Sequence, residues 1–204
     1  MIDHLVFAVP DLDRGVALIE ERLGVRAAPG GRHVGRGTHN ALLSLGAATY
    51  LEIIAPDPEQ TDHTLPLPFG LEDGGAARLV TWAAKAPDIE RRCQAARAAG
   101  YEGRVLKMSR ELPGGSRLDW SLTFPPPALG GGVAPFLIRW EPGPHPSETS
   151  PPGCELMELR GEHPNPESLR ALLDALGVDL PVSEGPGPAL IATIRSPNGV
   201  VELR

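Results

Sequence analysis

The chain has 204 residues, with 19 Lys plus Arg against 26 Asp plus Glu and a formal net charge of −7. An acidic balance and a pI near 5.4 argue against a nucleic-acid surface and leave small molecules as the expected partners. The length allows one large domain or two small ones with a substantial core. The two cysteines, Cys93 and Cys154, form no C-x-x-C pair, which excludes a zinc knuckle or a disulfide framework.

Met1-Ile2-Asp3 lacks a basic leader, the first apolar run is short, and no stretch approaches a bilayer span. A cytoplasmic protein with no membrane partner is therefore expected. The first run, His4-Leu-Val-Phe-Ala-Val9, reads as a strand that begins on a histidine. Asp11 then opens a helical pattern in which Leu12, Val16, Ile19 and Leu23 share one face, and Gly24 stops it. Arg32-His-Val-Gly-Arg-Gly-Thr-His-Asn40 reads as a polar loop entering the strands Asn40 to Leu45 and Thr49 to Ile54, which turn at Gly46.

The pattern then repeats. Moving 77 residues from Asp11 reaches Asp88, followed by Ile89, Cys93 and Ala96 on one helical face and a stop at Gly100. A further 77 residues reach Asn165, followed by Leu169, Leu172, Leu173 and Leu176, with a stop at Gly177. The second copy has strands Leu79 to Ala84, Leu118 to Thr123 and Phe136 to Trp140, with Phe124–Val133 as a long loop within the sheet. The third has strands Leu156 to Arg160, Leu190 to Arg195 and Val200 to Arg204, with a turn at Ser196-Pro-Asn-Gly199. The unit is a strand, a helix and two or three antiparallel strands. Residues 1–142 are expected to hold two such modules (1–60 and 78–142), 143–153 a Pro- and Gly-rich linker, and 154–204 a third, shorter module.

This unit resembles the βαβββ module of the vicinal oxygen chelate superfamily, which includes glyoxalases, bleomycin-resistance proteins and extradiol dioxygenases. The residues that carry the resemblance are His4-Leu-Val-Phe-Ala-Val-Pro-Asp-Leu12, Gly35-Arg-Gly-Thr-His-Asn-Ala-Leu-Leu43, Tyr50-Leu-Glu-Ile-Ile-Ala-Pro56 and Ser196-Pro-Asn-Gly-Val-Val-Glu-Leu203. It implies an α+β fold of repeated glyoxalase-like modules, a cupped mixed sheet with helices outside, and a small-molecule cavity in the cup. It also implies one divalent metal, Zn, Ni, Mn or Fe, held from the first and last strands of the modules.

By position, the resemblance puts His4 and Glu52 on ligand sites, and a neutral imidazole with a carboxylate suits those metals. Strand alternation places His4 opposite its neighbours Leu5 and Phe7. The second module departs from the pattern, since Thr81 stands where His4 stands and Ile138 where Glu52 stands. The third offers Glu158 and Glu202, with Arg160 and Arg204 on the same faces as competing salt-bridge partners. Metal ligation is therefore expected at His4, Glu52 and Glu202, with Glu52 also the catalytic candidate. A carboxylate inside Tyr50-Leu-Glu-Ile-Ile should meet a metal, a His, an Arg or a ligand, because burying it unpaired is costly.

Substrate-binding candidates are His39 and Asn40, which continue directly into sheet, and Arg139, beside Trp82, Trp120 and Trp140 on the middle module's strands. Gly35 and Gly37 lack the third glycine and following helix of a nucleotide fingerprint, and no Gly-x-Ser-x-Gly elbow is present. Three readings follow. One is a metal-dependent lyase, isomerase or dioxygenase acting on adjacent oxygens. The second is a metal-free small-molecule binder like the bleomycin-resistance proteins, and the third is metal-free acid–base chemistry by His4, His39 and Glu52. Both a monomer and a homodimer are compatible with three modules in one chain.

Overall fold

The computed structural model describes all residues except 63–65, 112–116 and 125–128. The expected loop Phe124–Val133 thus lies partly outside the described residues, and Leu129–Gly132 within it forms a short 3-10 turn. The first repeat runs β1 (Ile2–Ala8), α1 (Leu12–Leu23), β2 (Ala28–His33), β3 (Thr38–Ser44) and β4 (Tyr50–Pro56). The second runs β5 (Arg78–Lys85), α2 (Ile89–Ala96), β6 (Arg104–Glu111), β7 (Arg117–Phe124) and β8 (Phe136–Trp140). A short helix, α3 (Pro146–Thr149), precedes β9 (Glu155–His163), α4 (Pro166–Leu176), β10 (Val182–Glu184), β11 (Ala189–Ser196) and β12 (Gly199–Leu203). Each repeat is a βαβββ module, and the fold is α+β.

The helices start and stop where short-range chemistry dictates. Asp11 accepts a hydrogen bond from the Arg14 backbone at 2.9 Å, and Gly24 closes α1 at φ 75°. Asn165 caps α4 through the Ser168 backbone at 3.3 Å, Pro166 occupies the first turn, and Gly177 closes it at φ 66°. At α2, Asp88 makes no capping bond. Its carboxylate is held by Arg91 and by Arg92 Nε at 2.8 Å, and the helix ends in a 3-10 turn before Gly100.

Two compact units divide the chain. The first, here the His4 unit, comprises His4–Val80, Pro144–Glu158 and Ala192–Arg204. Its strands lie in the order β2-β3-β4-β1, with β1 parallel to β4 and the other pairs antiparallel. Leu5, Phe7, Leu51, Ile53, Ala41 and Leu43 share the face that packs against Val16, Ile19 and Leu23 of α1, and all are buried. The residues expected to form a linker run along this unit instead. The backbone amide of Ser44 donates to Pro151 at 3.0 Å, that of Leu156 donates to Leu45 at 2.9 Å, and α3 packs on β3. Repeated proline does not loosen this segment, because the free amides at the end of β3 find their acceptors there.

The other, the Trp82 unit, comprises Met1–Asp3, Thr81–Gly143 and Leu159–Ile191, with strands in the order β5-β8-β7-β6. Its helix-side face carries Trp82, Ala84, Leu137 and Thr123 beneath Ile89, Cys93 and Ala96 of α2. Trp82 donates its indole N–H to the Val133 carbonyl at 2.8 Å, and Tyr101 and Thr123 join hydroxyls at 2.5 Å. Burial pushes the Tyr101 phenol up to about 12, against the lowering effect of that hydrogen bond. Helices α2 and α4 pack together, and β10 pairs in parallel with β9.

Candidate functional site

The face of the His4 unit opposite α1 is polar. Register places His4 beside Tyr50 and Val6 beside Glu52, then Leu42 beside Glu52 and Thr38 beside His33. Since side chains alternate along a strand, His4, Tyr50, Glu52, Asn40, Thr38 and His33 all fall on this one face. Four adjacent strands therefore deliver two imidazoles, an amide, a phenol and a carboxylate to one surface.

Glu52 is the centre of the group, and only 9% of its surface is exposed. The Asn40 amide donates to its Oε1 at 2.5 Å. His33 Nε2 lies 3.7 Å from the same oxygen, and His4 Nε2 lies 3.6 Å from Oε2. These last two distances are too long for hydrogen bonds but short for charge interaction. His33 is oriented from behind by its Nδ1, 2.8 Å from the Thr38 hydroxyl. The His4 ring stacks on Tyr50 with centroids 4.6 Å apart, and His145, the N-cap of α3, meets the edge of Tyr50 at 5.6 Å.

Asn40 is 5% exposed, and its Oδ1 is buried without a hydrogen-bond partner among the described residues. An orphaned buried carbonyl of this kind costs about 1–3 kcal/mol. It sits against Gly30, where a Cβ would run into Asn40 Oδ1 and would meet Leu42 Cγ at 2.8 Å. The glycine in β2 is what allows the amide to lie there.

The residues singled out in the sequence separate accordingly. His4, Asn40 and Glu52 come together. His39, one residue from Asn40, faces the other way, towards Asp57 and Arg32, which form an ion pair at 3.3 Å. Burial pushes the Asp57 carboxyl up, but bonds from Gln60 and the Glu59 backbone, with the charges of Arg32 and His39, outweigh it and hold it below the usual range. Arg139 is on the opposite face of its strand from Ile138. It alternates with Ile138 and Trp140, lies on the α2 side, and pairs with Glu90 at 2.8 Å. Glu202 is exposed on β12 opposite Thr193, and its backbone carbonyl accepts a hydrogen bond from Arg22 at 2.6 Å.

In the Trp82 unit, the face carrying Ile138 is mostly apolar: Ala83, Phe136, Leu122 and Trp120 share it with Trp140, whose ring lies 5.4 Å from Trp120, and with Thr81 and Lys85, the latter directly beside Ile138. A groove of about 420 Å³ elsewhere in that unit is lined by Arg160, Arg170, Leu173, Asp174, Leu180 and Val182. Its arginines are engaged internally, Arg160 with Glu162 at 3.2 Å and Arg170 with the Val182 carbonyl at 2.8 Å. It therefore has less to offer a ligand than the Glu52 cluster.

His33 is the residue that sequence reasoning missed. Its signal was its place in β2 directly across from Thr38, but Ala28-Pro-Gly-Gly-Arg-His33 has no apolar alternation and does not read as a strand.

These features define a repeated βαβββ protein with one polar, carboxylate-centred face. The model of the glyoxalase-like domain family matches residues 2–177, so the chain belongs to that family. No curated protein sequence matches it. Among solved structures, a hypothetical protein from Staphylococcus aureus is 16% identical with a TM-score of 0.66, covering 98% of this chain and 83% of that one; it shares the fold. Methylmalonyl-CoA epimerase from Mycobacterium tuberculosis is 25% identical with a TM-score of 0.42, covering 70% of this chain and 88% of that one. A Streptomyces coelicolor methylmalonyl-CoA epimerase in complex with 2-nitronate-propionyl-CoA is 24% identical, with a TM-score of 0.46 and coverage of 68% and 92%. No helix among the described residues is long and apolar enough to cross a membrane.

Proposed function

We propose that this protein binds a small molecule with two adjacent oxygens against the polar face of the His4 unit, and transforms it as a divalent-metal-dependent enzyme of lyase, isomerase or dioxygenase type. One observation carries the reading: a buried carboxylate, Glu52, flanked by His4 and His33 and hydrogen-bonded by Asn40. No three His, Cys, Asp or Glu side chains among the described residues are arranged to hold a metal ion by themselves. An imidazole and a carboxylate, His4 and Glu52, are nevertheless donor types that divalent transition metals favour. His4 and Glu52 would hold the ion, which when bound supplies Lewis-acid polarisation of a carbonyl oxygen.

The chain's own groups divide the remaining work. Asn40 fixes Glu52 Oε1, so that the rotamer is set and Oε2 is the oxygen turned towards His4. From there Oε2 can hold a proton taken from carbon next to a carbonyl. Tyr50 packs flat on His4 and keeps the imidazole from swinging away. Burial of Asn40, Tyr50 and Glu52 keeps bulk water from competing for the carboxylate.

A second reading, binding without metal or reaction, is favoured by one feature. The second repeat presents buried Thr81 at the position of His4 and, by strand register, buried Phe136 rather than the expected Ile138 at that of Glu52, and neither is a metal ligand type. Elemental analysis of protein purified without chelators, beside a His4→Ala/Glu52→Ala double variant, separates the two. About one divalent metal per chain, lost in the variant, supports the enzyme and directs screening to diketones, hydroxyketones and catechols. No metal after soaking with Zn, Ni, Mn or Fe(II) rejects it in favour of the binder, whose ligand would be recovered intact after incubation.

A further inference from the structure

We propose that His145 is a positioning residue of the site: acting through Tyr50, it sets the plane of the His4 imidazole beside Glu52. This rests on the reading of His4 and Glu52 as the working pair, and it brings in a side chain from the segment between the second and third repeats, outside the strands that carry the rest of the site.

A histidine ring is held only loosely by its own bonds. Rotation about χ2 of an aromatic side chain is broad, so packing has to set the plane of the ring. His4 lies beside Tyr50 in the strand register, and the two rings stack with centroids 4.6 Å apart and planes 21° from parallel. That contact fixes His4 only as well as Tyr50 is itself fixed, because the phenol ring has the same soft torsion. His145 supplies the next constraint. Its ring stands at 65° to Tyr50 with centroids 5.6 Å apart, the T-shaped arrangement in which aromatic pairs attract. The plane of His145 is set in turn by its Nδ1, which accepts from the Ser147 backbone amide at 3.2 Å and lies 2.8 Å from the Ser147 hydroxyl.

The series of rings ends on backbone that is well tied. Pro146 has a restricted φ, and its carbonyl accepts from the Ser150 hydroxyl at 2.7 Å and the Ser150 amide at 3.0 Å. The next residue but four, Pro151, accepts the amide of Ser44, which is the partner of Tyr50 on β3. His145 and Tyr50 are therefore referenced to the same strand end. Residue type separates this role from capping alone. A helix N-cap is served best by Ser, Thr, Asp or Asn, whose short side chains reach the amide without a ring. Histidine gives the cap and, with the same ring, the contact to Tyr50. Tyr50 is 4% exposed and His4 3%, so a gap opened at His145 gives a closely packed pair of rings the room to turn.

The test is NMR of the full chain carrying isotope-labelled histidine, without added metal or substrate, with the six histidines assigned by single replacement. The C–H protons of His4 lie against the Tyr50 ring, whose current displaces them, and Tyr50→Leu gives their position without it. Shifts are compared at the high-pH plateau of each titration, so that protonation does not enter. His145→Asn keeps a cap acceptor and removes the ring, His145→Phe keeps a ring and removes the acceptor, and His145→Ala removes both. In His145→Asn and His145→Ala the His4 signals should move more than halfway to their Tyr50→Leu position. In His145→Phe they should stay near the wild-type position although the urea midpoint falls. His145→Asn, with its cap intact, carries the test if His145→Ala does not fold. Wild-type His4 shifts in His145→Asn, or an equal displacement in His145→Phe, would overturn the proposal and leave His145 a cap alone. The elemental analysis described above decides the enzyme reading separately, since absence of metal alters no His4 shift in these metal-free samples and unmoved His4 shifts leave the metal content as it was.

Discussion

The first and second repeats follow the same order of strand, helix and three strands, yet their corresponding faces differ in kind. Among Val6, Leu42 and Ile54 the first sets His4, Tyr50, Glu52, Asn40 and His33, whereas the second presents Thr81, Ala83, Phe136, Ile138, Leu122 and Trp120, with Lys85 as its charged residue. Both faces are largely buried, and both are backed by a helix across the sheet. The backbone pattern therefore does not determine the chemistry, and a repeated module can keep its fold while one copy carries the polar site.

The comparison breaks first at Glu52. Glu52→Gln should lower activity by about 10²–10⁴-fold while leaving the unfolding midpoint nearly unchanged, because the amide still accepts from Asn40. Equal losses in rate and stability would make Glu52 a structural residue like its counterpart. The converse substitution, Phe136→Glu, sets a carboxylate beside Ala83 with no matching histidine or asparagine. It should destabilise by about 3–5 kcal/mol in urea unfolding at neutral pH, less in acid, where the group is protonated. A well-tolerated Phe136→Glu would mean that the second face is less apolar at this position than its neighbours indicate.

Tyr101 sharpens the contrast from the helix side of the Trp82 unit. With its phenol raised to about 12 by burial, from an ordinary value of 10.0, its contribution is full below pH 10 and is lost as the pH rises through 12. The wild type should therefore lose about 2–3 kcal/mol relative to Tyr101→Phe across that window. Parallel alkaline unfolding curves of the two proteins would contradict the assigned burial. The smallest effect is expected at Gly30→Ala, where the added methyl meets Leu42 and Asn40. A loss of about 1–3 kcal/mol is expected, accompanied by a disturbed Asn40 and weaker metal uptake. Unchanged stability and uptake would show that β2 can shift without cost.

Much of the fold was legible in the sequence because helix ends are local. Asp11, Gly24, Asn165 and Gly177 act through bonds within a few residues, and the apolar spacing between them has one solution. Strands with alternating apolar residues, such as Phe136–Trp140, were equally readable. β2 and β6 were not, since Ala28-Pro-Gly-Gly-Arg-His33 and Arg104–Glu111 carry few apolar residues and owe their extension to a neighbour's backbone. At the site, His4 and Glu52 were legible from the resemblance and from the oddity of a polar residue in an apolar strand. Alternation alone separates His39 from Asn40 and Arg139 from Ile138, because adjacent strand residues cannot share a face. His33 required knowledge of which strand lies next to β3, and that is a property of the tertiary pairing rather than of any local pattern.

Gly30 ties the evolutionary drift of two positions together. As long as an amide fills the space beside it, no larger residue can enter β2 there, and a lineage that replaces Asn40 with something smaller removes the reason for the glycine. Among descendants of this chain, positions 30 and 40 should change as a pair, and a sequence that retains Asn40 but not Gly30 should be rare enough to mark a site that has been rebuilt.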